Sequence, residues 1–361
     1  AKFVNVESEL GAIGYVIGAS SAGVRVFTAT ASQGLAWMHE GLHFAAGSRL
    51  PIVLVNVNRP IAAPANLTCD QSDSLSQRDT GWMQFYCENN QEVIDTVIQA
   101  YRISELSCLP SMVCLDGVYL SYVAENTEIP DQTMVDRYLP PYEPTIPAGI
   151  TMGARYKLWD VDKPEPDGYY NIEDFMESRY ILHKLQRKAI DNVIQANDEF
   201  DETFGRSYPP VEEYKCDDAD IVVVSSGSAV GTIRYVINKL RQDGYRIGLV
   251  KLKMFRPFPE QLIQKVLSNR KRIAVIERDM IPGQGGIFCQ EIKSTLYNSG
   301  QFIPVYGFVA GLGGNDITPQ LIEKAILFTN RQDPPKSGSI WLGLPEKGIN
   351  DEFDKLSIKI Y

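Results

Sequence analysis

The sequence predicts an α/β protein with two parallel-sheet domains, and three observations carry that expectation. Apolar segments of strand length alternate with helix-length amphipathic stretches between residues 1 and 140. The same alternation starts again near Asp218. Between the two lies a stretch with Pro140, Pro141, Pro144, Pro147, Pro164 and Pro166, a composition that helices and central strands do not tolerate. At 361 residues the chain can give each half its own core. Strand–helix–strand repetition implies right-handed crossovers.

In the first half, Phe3 to Val6 is expected as a strand and Glu9 to Ala22 as a helix rich in small residues. Val24 to Thr28 follows as a strand, Gly34 to Ala46 as a helix and Pro51 to Val57 as a strand. Asn90 to Glu105 is an amphipathic helix with Val93, Val97, Ala100 and Tyr101 at helical spacing. Ser111 to Leu115 is the next strand. The proline-rich stretch from Pro140 to Gly168 is expected as an extended crossover, and Ile172 to Phe204 as one long helix with a solvated outer face.

The second half repeats the theme. Strands are expected at Ile221 to Val224, Ile247 to Lys251, Ile273 to Glu277 and Val305 to Val309. Helices are expected at Val230 to Asp243, Glu260 to Leu267, from Gly286 to Tyr297 and from Thr318 to Thr329, the last capped by Thr318. The tail from Gln332 shows no regular period. The expected division is therefore 1–140, a crossover and long helix over 141–217, a second domain over 218–331, and a tail over 332–361.

Composition narrows the partners. A net charge of −10 argues against nucleic acid, which needs concentrated Lys and Arg. No apolar run approaches the roughly 20 residues of a membrane span. Lys2 to Glu9 is polar and unlike a signal peptide. The chain starts at Ala1 rather than Met, so further N-terminal sequence is expected outside this numbering. Cys69, Cys87, Cys108, Cys114, Cys216 and Cys289 form no CxxC pair, which reads as reduced core thiols in a cytoplasmic protein rather than zinc or cluster ligands. His39 and His43 share a helix face, without an acid partner, as packing or interface groups, and His183 stands apart.

Three features invite a functional reading. Glu9 opens a helix amid small residues; it is either a first-turn acid favoured by the helix dipole, a role Glu7 fills equally well, or a buried carboxyl facing a ligand. The turn Thr28 to Gly34 follows a strand and opens a helix, a place where N–H groups and hydroxyls meet ligands. It lacks the Gly-Lys-Ser/Thr of a P-loop and the GxGxxG of a Rossmann turn, and simple capping by Ser32 or Thr30 is the other reading. Arg59 stands at the carboxyl end of an apolar strand, where ligands gather in parallel sheets. Its guanidinium can bind a carboxylate with two parallel bonds, or pair structurally with Asp70 or Asp73. Gly283, Gly285 and Gly286 read as a structural turn, and Gly311, Gly313 and Gly314 as a loop with left-handed positions.

Taken in order, several segments resemble one family. Val6-Glu7-Ser8-Glu9, Phe27 to Leu35, Met38-His39-Glu40, Arg49 to Val53, Asn58-Arg59, Arg78 to Trp82, Ile129 to Gln132 and Arg256 to Pro259 resemble the alpha subunits of 2-oxoacid:ferredoxin oxidoreductases of the pyruvate synthase type. The similarity covers about 1–330. It implies a thiamine-pyrimidine-binding first domain and a second domain like the transketolase C-terminal domain. By the resemblance Glu9 matches the acid that hydrogen-bonds the aminopyrimidine of thiamine diphosphate, Arg59 the residue that holds the substrate carboxylate, and Thr30 falls in the turn facing the cofactor.

The implied reaction is coenzyme A-dependent oxidative decarboxylation of a 2-oxoacid, pyruvate first, with electrons passed to ferredoxin, or the reverse synthase reaction. Use of 2-oxoglutarate or a branched-chain 2-oxoacid, or a non-catalytic assembly role, are the alternatives. Magnesium and [4Fe-4S] clusters are expected on partner subunits of beta, gamma and delta type, with no nucleic acid or membrane involved. Two departures stand out. The family's first strand–helix unit with Tyr-Pro-Ile-Thr-Pro is absent from this numbering, either lost from it or supplied by another chain. Asn58 to Pro64 differs from the commoner Arg-Ala-Leu-Ser-Ala-Pro, which leaves the substrate's side chain open.

Overall fold

The fold is described from a computed structural model, over residues 1–143, 172–331, 333, 338–344 and 359–360. Two sheets organise it. The first half supplies α1 (Glu9–Ser21), β1 (Phe27–Thr30), α2 (Gln33–Trp37), α3 (His39–Gly47), β2 (Val53–Asn58), α4 (Ser72–Leu75), β3 (Met83–Tyr86), α5 (Asn90–Ser107), β4 (Ser111–Asp116) and α6 (Gln132–Tyr138). The long helix α7 (Ile172–Phe204) leads to the second half. There follow β5 (Val211–Tyr214), β6 (Ile221–Ser225), α8 (Ala229–Gln242), β7 (Ile247–Leu252), β8 (Met254–Arg256), α9 (Glu260–Leu267) and β9 (Arg272–Glu277). Last come α10 (Ile287–Asn298), β10 (Val305–Val309), α11 (Pro319–Arg331), β11 (Ile340–Leu342) and β12 (Lys359–Ile360).

The first sheet has the order β1-β2-β4-β3-β8 and the second β12-β11-β10-β9-β6-β7-β5. Pairing is parallel except where β8 meets β3 and β5 meets β7. Continuous apolar runs explain the central strands: β4, β6, β7 and β10 are buried along their whole length, as strands covered on both faces must be. β1 is the edge strand and alternates exposed with half-buried residues. A buried ionic seam joins the halves, with Lys251 Nζ 2.9 Å from Glu92 Oε2 and 3.0 Å from Glu88 Oε2.

Most expected elements form, and the exceptions have physical reasons. Phe3 to Val6 makes no strand; it has no neighbour to pair with, and its apolar side chains are exposed. The strand expected at Val24 to Thr28 forms over Phe27–Thr30 instead, because Arg25 turns aside to bind Glu105 (2.6 and 3.0 Å) and the Pro140 carbonyl. The helix expected over Gly34 to Ala46 breaks at Met38, which buries its side chain between α2 and α3. The tail, expected without regular structure, adds β11 and β12 in parallel beyond β10. The α11 cap forms as expected, Leu321 N donating to Thr318 Oγ1 at 3.3 Å. Most of the proline-rich crossover lies outside the described residues. Among the described residues no helix is long and apolar enough to cross a membrane.

Candidate cofactor and substrate site

Sheet register places the site. β1 and β2 align Thr30 with Asn56, and β2 and β4 align Asn58 with Asp116. The carboxyl ends of three neighbouring strands thus bring Thr30, Arg59 and Asp116 to one edge of the sheet, the edge where ligands of parallel sheets bind.

Glu9 is the first residue of α1, whose N-cap Ser8 accepts from Gly11 N at 3.2 Å. The two acids suggested by the sequence separate here. Glu7 lies over α1's own first turn, its Oε1 3.1 Å from where a Gly11 Cβ would stand. Glu9 reaches across to the turn after β1. A Cβ on Gly34 would lie 2.6 Å from Thr30 Oγ1, 2.7 Å from Glu9 Cγ and 2.8 Å from Glu9 Oε1. Only a residue without a side chain lets this acid and this hydroxyl share that spot. Glu9 is half-buried rather than enclosed, and its carboxylate accepts no hydrogen bond among the described residues. Thr30 Oγ1 is buried and has no partner either. A buried hydroxyl without a partner costs free energy unless something outside the chain satisfies it.

Capping by Ser32 or Thr30 does not occur. Ser32 stands at the N-cap of α2 but makes no side-chain cap bond, and its backbone is in a region L-residues rarely adopt (φ 53°, ψ −125°). Its hydroxyl bonds the Pro60 carbonyl at 2.5 Å, beside Arg59. Its N–H donates to Asp73 Oδ2 at 2.9 Å. Asp73 is fully buried and accepts from five donors: Ser32 N, Asn56 Nδ2 (3.0 Å), Asn58 Nδ2 (3.2 Å), Arg59 N (3.1 Å) and Ser74 N (2.8 Å). Burial pushes its carboxyl up to about 7, with Asn56 and the N–H donors pulling it down.

The structural pairing considered for Arg59 does not form through its guanidinium. Asp73 takes the Arg59 backbone N–H, and Asp70 bonds Ser72 N and Oγ at 2.9 and 2.6 Å. Arg59 Nη2 stands 3.4 Å from Tyr122 Oη, with the guanidinium 5.9 Å from that ring's centre. Arg59 Nε is buried without a partner. No carboxylate pairs with this guanidinium among the described residues, so it is available to an acid ligand.

The second half closes over the segment that follows Arg59. Gly311, Gly313 and Gly314 are left-handed as expected, at φ 72°, 60° and 77°. Gly314 N donates to the Cys69 carbonyl at 2.8 Å, Asn66 Nδ2 to the Gly313 carbonyl at 3.1 Å, and Tyr119 Oη to the Gly314 carbonyl at 3.0 Å. Asp116 accepts from Ser228 N (2.9 Å) and Oγ (2.7 Å). The turn at Gly283 to Gly286 is structural: it lies over the buried pair Glu277 and Asp279, which accept from the first N–H groups of α10. Burial raises both carboxyls above the usual range; the Asp279 charge adds to this at Glu277, whereas at Asp279 the contact with Glu277 pulls the other way.

The other singled-out groups take structural places. The six cysteines are free thiols, and burial raises their pKa, so none is an activated nucleophile. His39 and His43 meet edge to face at 4.9 Å, and His39 Nδ1 bonds Gln77 Oε1 at 2.6 Å. Arg78 to Trp82 and Arg256 to Pro259 meet at a cavity of about 630 Å³ whose walls include neither Glu9, Thr30 nor Arg59. Asp73 was considered only as a pairing partner. The signal for its larger role was two asparagines, Asn56 and Asn58, inside an otherwise apolar strand, which buried backbone cannot satisfy alone.

Comparison with known proteins identifies the family. Residues 1–197 match the family described as pyruvate flavodoxin/ferredoxin oxidoreductase, thiamine diphosphate-binding, and residues 219–322 match pyruvate:ferredoxin oxidoreductase core domain II. The chain is 43% identical to pyruvate synthase subunit PorA of Methanothermobacter thermautotrophicus, over 96% of this chain and 87% of that protein. It is 44% identical to ketoisovalerate oxidoreductase subunit VorA of Pyrococcus horikoshii, over 88% of this chain and 78% of that one. Its fold is similar to that of a 2-oxoglutarate:ferredoxin oxidoreductase from Magnetococcus marinus (TM-score 0.61, 20% identity), covering 91% of this chain and 57% of that chain.

Proposed function

Since the chain belongs to the 2-oxoacid:ferredoxin oxidoreductase family as an alpha subunit, we propose that it contributes the Glu9 and Arg59 half of a thiamine diphosphate site that turns over pyruvate. The observation that supports this is the meeting of the Glu9 carboxylate and the unpartnered Thr30 hydroxyl across Gly34. A buried hydroxyl without a partner and a side-chain-free cradle beside an acid fit a polar heterocycle. When bound, thiamine diphosphate supplies a carbon nucleophile for the ketone and a sink for the electrons left by decarboxylation.

Glu9 accepts a hydrogen bond from a ring N–H and holds the proton that makes the ring's amino nitrogen a base. Thr30 orients the ring through its hydroxyl. Arg59 binds the 2-oxoacid carboxylate with two parallel bonds and so orients the ketone. With the cofactor and partner subunits in place, decarboxylation would release carbon dioxide, coenzyme A would take the acyl group, and the two electrons would pass singly to ferredoxin. The diphosphate, its magnesium and the [4Fe-4S] clusters belong to partner subunits of beta, gamma and delta type, since this chain's thiols are single and all but the half-buried Cys108 are buried. We place the complex in the cytoplasm, where such thiols stay reduced.

Replacing Glu9 by Ala in the complex assembled with its partner subunits should lower 2-oxoacid- and coenzyme A-dependent viologen reduction by on the order of 10²-fold or more. The melting temperature should hold, since the side chain is half-exposed and unbonded. An assembly role without chemistry is the second reading, favoured by the solvent-facing side of Glu9 and the uncovered edge of β1. Near-normal turnover of the variant would establish it in place of the first. Comparing kcat/KM for pyruvate, 2-oxoisovalerate and 2-oxoglutarate assigns the substrate, because relatives of both pyruvate and ketoisovalerate type are about equally similar.

A further inference from the structure

We propose that Asp73, acting with Ser32, is the positioning residue that fixes the Thr30 turn against Arg59 and so sets where the 2-oxoacid meets the cofactor. This rests on the reading of Thr30 and Arg59 given above.

The bonding pattern carries it. Asp73 stands on α4, a helix of one turn, and is buried completely. Four of its five donors come from the two strand ends that carry the site: Ser32 N two residues beyond Thr30, then Asn56, Asn58 and the N–H of Arg59 itself. One oxygen, Oδ2, takes both the Ser32 and the Arg59 N–H. The turn facing the cofactor and the residue facing the substrate are therefore referenced to the same atom.

Ser32 closes the loop from its side. It forgoes capping α2, holds a positive φ without being glycine, and sets its hydroxyl between the Gln33 side-chain oxygen and the carbonyl of Pro60, the residue after Arg59, each at 2.5 Å. A serine placed only to start a helix would accept from that helix's own N–H groups. Here both of its cross-links run to the Arg59 side. A strained, doubly held residue between two binding loops is a device for spacing them.

The test compares assembled complexes carrying Asp73→Asn, Ser32→Ala and Ser32→Gly. Asn at 73 points an amide N–H₂ at donors, so KM for the 2-oxoacid should rise about tenfold or more while kcat falls, as expected when reacting groups shift by a fraction of an ångström. Ser32→Ala removes the Pro60 link and the local contact with Gln33 while keeping the bond from its N–H to Asp73, and should raise KM several-fold at unchanged melting temperature. Ser32→Gly removes the backbone constraint as well and should weaken thiamine diphosphate affinity, read by calorimetry, along with KM. A role in stability alone would lower the melting temperature and the fraction of active sites but leave KM unchanged. Wild-type KM and cofactor affinity in both Ser32 variants would overturn the proposal, and these two decide it if Asp73→Asn does not assemble. Arg59→Ala keeps the two ideas apart. If its KM is also normal, the assignment of Arg59 has failed rather than the strut.

Discussion

Two buried acid centres organise this molecule, one in each half, and they solve the same electrostatic problem in opposite ways. At the edge of the first sheet, Asp73 is surrounded by donors, five of them on two oxygens. In the second half, among the described residues Glu277 and Asp279 accept only from the N–H groups that open α10, and Glu277 Oε1 and Asp279 Oδ2 have no donor. Burial raises both centres' affinity for protons. The first is arranged to carry a charge, the second to hold a hydrogen. The first lies beside open, unpaired polar groups; the second is sealed under a glycine turn. The contrast separates a centre that borders the proposed site from one that holds the fold.

The sharpest break would come from adding one methyl group to the second centre. A Cβ on Gly286 would stand 1.7 Å from Glu277 Oε1, and that buried carboxyl has nowhere to go. Gly286→Ala should therefore cost about 3 kcal/mol or more of stability, seen as a large fall in melting temperature. A shift of under a degree would show that the turn is not packed as described.

The same substitution in the first centre should behave differently. A Cβ on Gly34 strikes Thr30 Oγ1 and the half-exposed Glu9, which can swing out to solvent. Gly34→Ala should change stability by less than about 1 kcal/mol yet lower turnover by about tenfold or more. Equal damage to stability and turnover would erase the distinction between the two regions.

The smallest effect tests the protons. The folded carboxyl of Asp279 is raised to about 7, above its unfolded value near 4. The folded state then binds the extra proton between those values, so this contribution is whole below about pH 4 and is lost as pH rises towards 7. Asp279→Asn keeps the acceptor for Ile287 N and offers a permanent donor to Glu277. It should change stability at pH 5 by under about 1 kcal/mol and flatten the decline from pH 5 to 8 in thermal unfolding. An unchanged slope would place the proton elsewhere.

What could be read from the sequence follows the range of the interactions. β6, β7, β9 and β10 are apolar runs whose burial needs no knowledge of their neighbours, and α7 keeps its period from Ile172 to Phe204. Three-residue strands such as β8 and β11 carry no such pattern, because distant pairing alone makes them strands. Of the candidate site, Glu9, Thr30 and Arg59 could be singled out from motifs in a matched order. That Gly34 is the point where the first two meet was not, since it depends on the angle at which α1 crosses α2. Nor was the reach of Asp73, whose donors come from three separated segments. Capping by Ser32 or Thr30 was one of two open readings of that turn, because a serine after a strand usually starts a helix; at Ser32 tertiary bonds override that local preference.

The antiparallel strand β8 ties these halves into a single timetable. Gln84 and Phe85 complete their edge of the first sheet only by pairing with Arg256 and Met254. During synthesis that edge therefore stays unfinished until the chain has emerged through Arg256, with Phe85 waiting for its cover. The sheet that carries the candidate site at its other end is thus completed by a strand of the second half and cannot be closed by the first half alone.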